Sequence, residues 1–354
     1  MVMLLLWRKL VNNQSTKPTD SNSILTLVVP SDGELHKNTL AFLEACGLKV
    51  NSSNARQYTG TIPSLPGVSV LFQRTADITS KIEDFSADVG ITGLDRYLEY
   101  KTDDRYVSEL ITDLGYGYCD FVIATPETWL DVNSLEDLSE LSAEYHKKGL
   151  DLRIATKYPK LLNSYLYDNG VFNYRIVTVS GALEAAPAAG YADLIADLSA
   201  TGSTLRANNL KPLIRGRVLR SQSCLIGNPV SVNSNQHKIT LTKHLIDLMQ
   251  AYLRAEDFYR ITANVKTESE NELAGKILEK TELSGIEGPT ISKLYTTGGE
   301  AQTWFSISVL VSRTQLLDTV DHIRKCGGST IAVSKIDYLF NSGFSASETL
   351  FRAK

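Results

Sequence analysis

The chain has 354 residues, 21% of them charged and 43% hydrophobic, with a formal net charge of −4. That balance excludes a disordered, collagen-like or low-complexity protein, and the length suggests two or three domains with sizeable cores. The slight acidity argues against a dedicated nucleic-acid coat or a strongly basic membrane-surface protein, while leaving room for local basic pockets that hold small phosphates.

The N-terminus reads MVMLLLWRKLVNNQSTKPTDSNS, and its apolar run, residues 1–7, precedes its positive charges. A secretory signal has the reverse order and a longer apolar core, and no stretch approaches transmembrane length. Residues 1–23 read as a disordered tail, or as a short organellar leader. Four cysteines, Cys46, Cys119, Cys224 and Cys326, are scattered without a CxxC spacing, and the five histidines form no HExxH. Neither a zinc knuckle nor a disulfide framework is expected, and a reducing compartment fits.

Residues 24–29 (ILTLVV) form a continuous apolar run of strand length, closed by Pro30 and an SDG turn, and 35–46 carry apolar residues at helical spacing. Strands follow at 68–73 and within DVGITG (88–93), with a helix at 78–85 between them. The alternation resumes with strands at 119–126, 151–156, 174–179 and 191–198, helices at 135–148 and 161–169, and two more strands within 213–226. Buried strands alternating with helices predict an α/β fold of two lobes. The first comprises 24–113 plus 206–235 and the second 114–205, with crossings near 113–118 and 205–215. Such a molecule binds small ligands in its cleft. Residues 236–257 read as one long amphipathic helix. Beyond it, strand 259–265, helix 268–279, strands 291–295 and 303–311, helix 314–325 and strand 330–336 give the order β-α-β-β-α-β of a ferredoxin-like unit. Residues 236–340 are therefore a separate regulatory or assembly domain, and 341–354 a polar tail.

The most informative stretch is YADLIADLSATGSTLRANNL, residues 191–210. In a strand, residues two and four apart share a face, so Asp193 and Asp197 are expected to point the same way. Next come Ser199, Ala200, Thr201, Gly202, Ser203 and Thr204, small and rich in hydroxyls, with a helix starting near Thr204. Backbone N–H groups of such a turn make an anion cradle, and the paired carboxylates suit the hydroxyls of a phosphorylated sugar. An N-cap by Ser203 or Thr204 on an ordinary strand-to-helix turn explains the same residues equally well.

This stretch closely resembles the phosphoribosyl-pyrophosphate (PRPP) motif of the ATP phosphoribosyltransferase family. NARQYTGTIPSLPGVSVLFQR (54–74), ADVGITGLD (87–95), LRIATKYPKLL (152–162), GALEAAPAAGYAD (181–193), RSQSCLI (220–226) and GPTISKL (288–294) are similar to family segments in the same order, so the resemblance spans about residues 24–340. It implies a two-lobed periplasmic-binding-protein-like catalytic unit and the C-terminal ACT-like regulatory domain of the long form. It also implies the first reaction of histidine biosynthesis, in which N1 of ATP joins the ribose C1 of PRPP and pyrophosphate leaves, with Mg²⁺ as the cofactor and histidine as a feedback inhibitor. By the match, residues 199–204 hold the 5′-phosphate, Asp193, Asp197 and Glu184 serve the ribose, and Arg56 and Arg74 serve ATP or pyrophosphate. The metal ligands are left unassigned. Histidine is expected near Thr290, Ser306 and Ser308, between neighbouring small domains. The resemblance further implies a homo-oligomer, dimer or hexamer, in the cytoplasm, or in a plastid if residues 1–23 are a leader.

The chain departs from the family pattern at three positions. PSDGEL (30–35) stands where members carry PSKGR or QKSGR, placing Asp32 and Glu34 at basic positions, and GYCDF puts Asp120 where GDCRL has arginine. A carboxylate close to a phosphate repels it by about 1–4 kcal/mol, depending on the local dielectric. Compensation by Mg²⁺, or by Arg215, Arg217 and Arg220, would leave a working enzyme. Without compensation, the chain would be a silent paralogue that binds a ligand or regulates a true enzyme, or a transferase with a less anionic acceptor.

Overall fold

The structure is a computed structural model and describes residues 23–52, 58–179, 181–295 and 303–342. The first run of elements is β1 (Leu25–Pro30), α1 (Gly33–Ala45), β2 (Thr59–Thr61), β3 (Val68–Gln73), α2 (Ile78–Glu83), β4 (Val89–Gly93), α3 (Leu94–Tyr100) and β5 (Ser108–Ile111). The second is β6 (Cys119–Pro126), α4 (Leu135–Lys147), β7 (Leu152–Thr156), α5 (Pro159–Asp168), β8 (Tyr174–Thr178), β9 (Leu194–Ser199), α6 (Ser203–Ala207) and β10 (Leu210–Ser221). Then come β11 (Ser223–Gly227), α7 (Pro229–Asn233), α8 (Gln236–Ala255), β12 (Phe258–Lys266), α9 (Glu270–Leu278), β13 (Thr290–Leu294), β14 (Trp304–Ser312), α10 (Leu316–Lys325) and β15 (Gly328–Lys335).

The chain divides into two compact units, with the boundary between His244 and Leu245 inside α8. The first unit holds two sheets, of order β2-β3-β1-β4-β11-β5 and β10-β6-β9-β7-β8. β1 runs parallel to β3 and β4, and its Leu27, Val28 and Val29 are fully buried. An uninterrupted apolar strand of this kind needs cover on both faces. β10 belongs to the second sheet, paired antiparallel with β6 through Arg220↔Asp120 and Ser221↔Cys119. The chain therefore returns to the first sheet at Gln222, later than the 205–215 stretch suggested by the alternation of strands and helices. The two crossings are stitched together, Ser223 N donating to Tyr116 O at 2.9 Å and Leu114 N to Ser223 O at 3.0 Å.

The second unit has four antiparallel strands in the order β13-β14-β12-β15, with the β-α-β-β-α-β sequence of a ferredoxin-like module. β14 alternates strictly, Phe305, Ile307, Val309 and Val311 being buried in a core shared with Leu273 and Ile277 of α9 and Ile323 of α10. Its other face carries Ser306 and Ser308. Among the described residues no helix is long and apolar enough to cross a membrane. The expectations for residues 1–22, Arg56 and the end of the tail lie outside the described residues.

Candidate active site

β9 buries Leu194, Ile195 and Ala196 completely, then emerges at Asp197 beside the C-terminal end of parallel β7. Ligands of α/β sheets gather at such ends. The following turn folds on its own hydroxyls. Gly202 N donates to Ser199 Oγ at 3.1 Å, and the Thr201 and Ser203 hydroxyls lie 2.9 Å apart. Gly202 has φ +71°, the left-handed region a side chain avoids, and Arg206 reaches back to Thr201 O at 3.1 Å. Glu184, Asp197 and residues 198–205 enclose a cavity of about 180 Å³. Short hydroxyls here occupy the Gly202 and Ser203 N–H groups, as an anion's oxygens can in such a turn.

Glu184 comes from the helical turn Leu183–Ala185. Burial raises the pKa of Asp197, and the nearby Glu184 charge adds to this. The Leu198 N–H, Lys157 and Arg96 oppose it. The carboxylates lining the loop cavity are thus Asp197 and Glu184. Asp193 corrects the sequence expectation. β9 begins only at Leu194, and the Asp193 carboxylate is held by Arg153, through its backbone N–H at 2.7 Å and its guanidinium at 2.8 Å. Asp193 and Asp197 lie roughly 13 Å apart along an extended chain, and Asp193 acts as a clamp between β7 and β9.

The loop cavity shares Leu198 and Ala200 with a larger cleft of about 390 Å³ between the two sheets, which also touches Glu34, Thr75, Arg96, Tyr118 and Cys119. Its wall is a network across the lobes. Asp95, at the start of α3, accepts the Tyr158 hydroxyl at 2.8 Å and the Ser221 hydroxyl at 2.7 Å. Arg96 lies over the Tyr158 ring, 4.4 Å from its centroid, with Asp95 3.7 Å away. Burial pushes the Tyr158 hydroxyl strongly up and the Cys119 thiol up to about 11, so both stay protonated near neutrality. Glu99 of α3 accepts the first free N–H groups of α5, from Lys160 and Leu161, at 3.0 Å each.

Asp120 sits directly between Ser199 and Arg220 in register, and Arg217 and Arg220 approach it at 3.6 and 3.7 Å. Arg215 turns away to Glu136, because the register shifts between Pro212 and Arg217 and Arg215 adopts φ +59°. The expected two-residue alternation of these arginines therefore fails. Asp32 and Glu34 are exposed at the head of α1, with no ion pair among the described residues, and Arg74 is exposed just after β3. Sequence reasoning missed Arg96, Lys157, Asp95 and Tyr158; the last three lie inside quoted motifs, yet only tertiary contact reveals their meeting.

In the second unit, Arg260, Glu287, Thr290 and Ser308 help line a cavity of about 590 Å³. Thr290 pairs with Ser308 across the β13–β14 ladder, and Ser306 faces Ser292 two residues further along.

A phosphate-sized turn at a sheet's C-terminal edge, opening into an interlobe cleft lined by carboxylates, defines a two-lobed α/β protein built for a phosphorylated small molecule. Comparison with known proteins narrows this. The family model ATP phosphoribosyltransferase matches residues 74–251, and HisG, C-terminal domain, matches 255–338. The chain belongs to the ATP phosphoribosyltransferase family and carries the C-terminal domain of the long form. ATP phosphoribosyltransferase 1, chloroplastic, of Arabidopsis thaliana is 34% identical over 90% of this chain and 78% of its own. The ATP phosphoribosyltransferase of Bradyrhizobium diazoefficiens is 34% identical over 89% of this chain and 94% of its own. The ATP phosphoribosyl transferase (HisG:HisZ) complex from Thermotoga maritima, 23% identical over 64% of this chain and 99% of its own, shares the fold with a TM-score of 0.50.

Proposed function

We propose that this chain transfers the phosphoribosyl group of PRPP to N1 of ATP. The N1 lone pair forms the new bond to ribose C1, the C1–O bond breaks, and its electron pair leaves with pyrophosphate. The observation that carries this reading is Asp197, partly desolvated beside the 199–204 turn and lining the cavity that the turn encloses. Asp197 and Glu184 hold the ribose hydroxyls and stabilise positive charge developing at C1, while the turn anchors the 5′-phosphate. Asp193 supports this arrangement from the far end of β9.

Among the described residues no group of three or more His, Cys, Asp or Glu forms a metal cage. Two oxygen donors, Asp197 and Glu184, suit a hard cation that arrives with the donor's phosphates and keeps part of its water shell. Mg²⁺ held there would neutralise charge on the departing pyrophosphate.

The Asp120 charge is met by Arg217 and Arg220, which supports a working enzyme rather than a silent paralogue. Histidine fits the second unit's cavity, with Arg260 for its carboxylate, Glu287 for its amine, and the Thr290 and Ser308 hydroxyls beside them. Ser306 falls outside that lining. The family resemblance supports a homo-oligomer, a dimer or hexamer, and a cytoplasmic location; fusing residues 1–23 to a reporter tests plastid import instead.

The test is the near-ultraviolet absorbance rise of N1-ribosylated adenine with purified protein, PRPP and ATP. Turnover that histidine suppresses is expected. Folded protein that binds PRPP but gives no product overturns the reading.

A further inference from the structure

The 199–204 turn, with the Arg206 guanidinium folded back onto Thr201 O, is sized for one phosphate. The donor's pyrophosphate carries more charge and calls for cations, yet positions 32 and 34 are acidic, and Arg217 and Arg220 are engaged with Asp120. Two other cations lie close enough to favour the ionised form of Asp197. Arg96 projects from the first lobe into the cleft, its side chain 21% exposed and pinned between the Tyr158 ring and Asp95. Tyr158 and Ser221 satisfy most of the Asp95 carboxylate, so Arg96 retains N–H donors for a ligand. Lys157 belongs to the second lobe. It follows Thr156, whose register partner Ala196 precedes Asp197, and it is half-buried with no ion pair among the described residues. Both charges act on the Asp197 carboxylate.

We propose that Arg96 and Lys157, one from each lobe, grip the pyrophosphate of the donor and stabilise it as it leaves. This assignment rests on reading the cleft as a PRPP site. Arg96 is preorganised by stacking, so little side-chain freedom is lost when it binds. Lys157 is the mobile half of the clamp. Closing on one diphosphate, the pair draws the lobes together around the reacting carbon.

Calorimetry with three probes tests this: ribose 5-phosphate, inorganic pyrophosphate and PRPP, each with Mg²⁺. Lys157→Met is expected to weaken pyrophosphate and PRPP by about 10- to 100-fold, the worth of a charge-assisted hydrogen bond, and to leave ribose 5-phosphate within about twofold. Arg96→Met should do the same and Arg96→Lys should recover part of the loss, with melting curves confirming that each variant folds. In turnover, KM for PRPP rises, product inhibition by pyrophosphate fades, and KM for ATP holds. Unchanged pyrophosphate affinity in folded Lys157→Met overturns the proposal, as does an equal fall for ribose 5-phosphate. Wild-type protein that binds pyrophosphate through these residues but never ribosylates ATP overturns the transferase reading alone. Wild-type protein that ribosylates ATP with both substitutions harmless overturns the clamp alone.

Discussion

Asp197 carries an electrostatic cost that the fold tolerates for its position in the site. Its folded-state pKa is raised by burial, so the ionised form is disfavoured, and the penalty grows as pH rises above the ordinary aspartate range. Asp197→Asn removes the charge. The variant should melt above wild type at pH 7, the difference should vanish once pH falls below the ordinary aspartate pKa, and phosphoribosyl transfer should drop about 100-fold or more. Scanning calorimetry across pH, beside the absorbance assay, checks both parts. Gly202→Ala places a β-carbon in the left-handed region, 2.9 Å from Arg206 Nη1. It should cost about 1–2 kcal/mol in denaturant titration and weaken ribose 5-phosphate, since the turn must re-form around the new side chain. At this scale the turn itself was legible, because small hydroxyl residues around a glycine advertise their conformation locally. The partner of Asp193 was not. Whether a carboxylate faces a sugar or an arginine depends on where β9 begins and on its register with β7, and neither periodicity nor composition fixes register.

Among the elements, α5 shows how the lobes depend on each other. Its N-terminus is Pro159, which supplies no donor, and its next two N–H groups are capped by Glu99 from another helix. Glu99→Ala should destabilise the chain by about 1 kcal/mol, because two partly buried donors lose their acceptor, and urea titration measures it. Hydrogen exchange should then rise first at Lys160 and Leu161. α4, by contrast, caps itself: Ser134 accepts from Asp137 N, and the Asp137 side chain returns to the Ser134 N–H. Most strands and helices could be read from apolar spacing for this reason, their signals being local. β10 could not be placed in the right sheet, because its bulge near Arg215 breaks the two-residue period and because sheet membership is a non-local choice.

For the molecule as a whole, the ferredoxin-like unit is expected to report histidine to the catalytic unit. Arg260→Ala should leave the uninhibited rate unchanged while raising the histidine concentration needed for inhibition about tenfold or more, as loss of a charged partner for a carboxylate requires. Dose–response curves with and without the substitution check it. The order of elements in both units was readable because each repeats a simple alternation. The cleft was readable only as a consequence of having two lobes. The meeting of Arg96 and Asp95 from one lobe with Tyr158 from the other was not readable, because the folded sheets and not the sequence bring them together.

The late return of the chain at Gln222 has a further effect. β4 finds its antiparallel neighbour in β11, with Gly93 opposite Ser223, and every strand of the second sheet is made in between. A polypeptide emerging from the ribosome therefore completes its second lobe while the first still lacks an inner strand. The older half of the protein must wait, with Val89 and Ile91 uncovered along one edge, for the younger half to finish and hand back the strand that seals it.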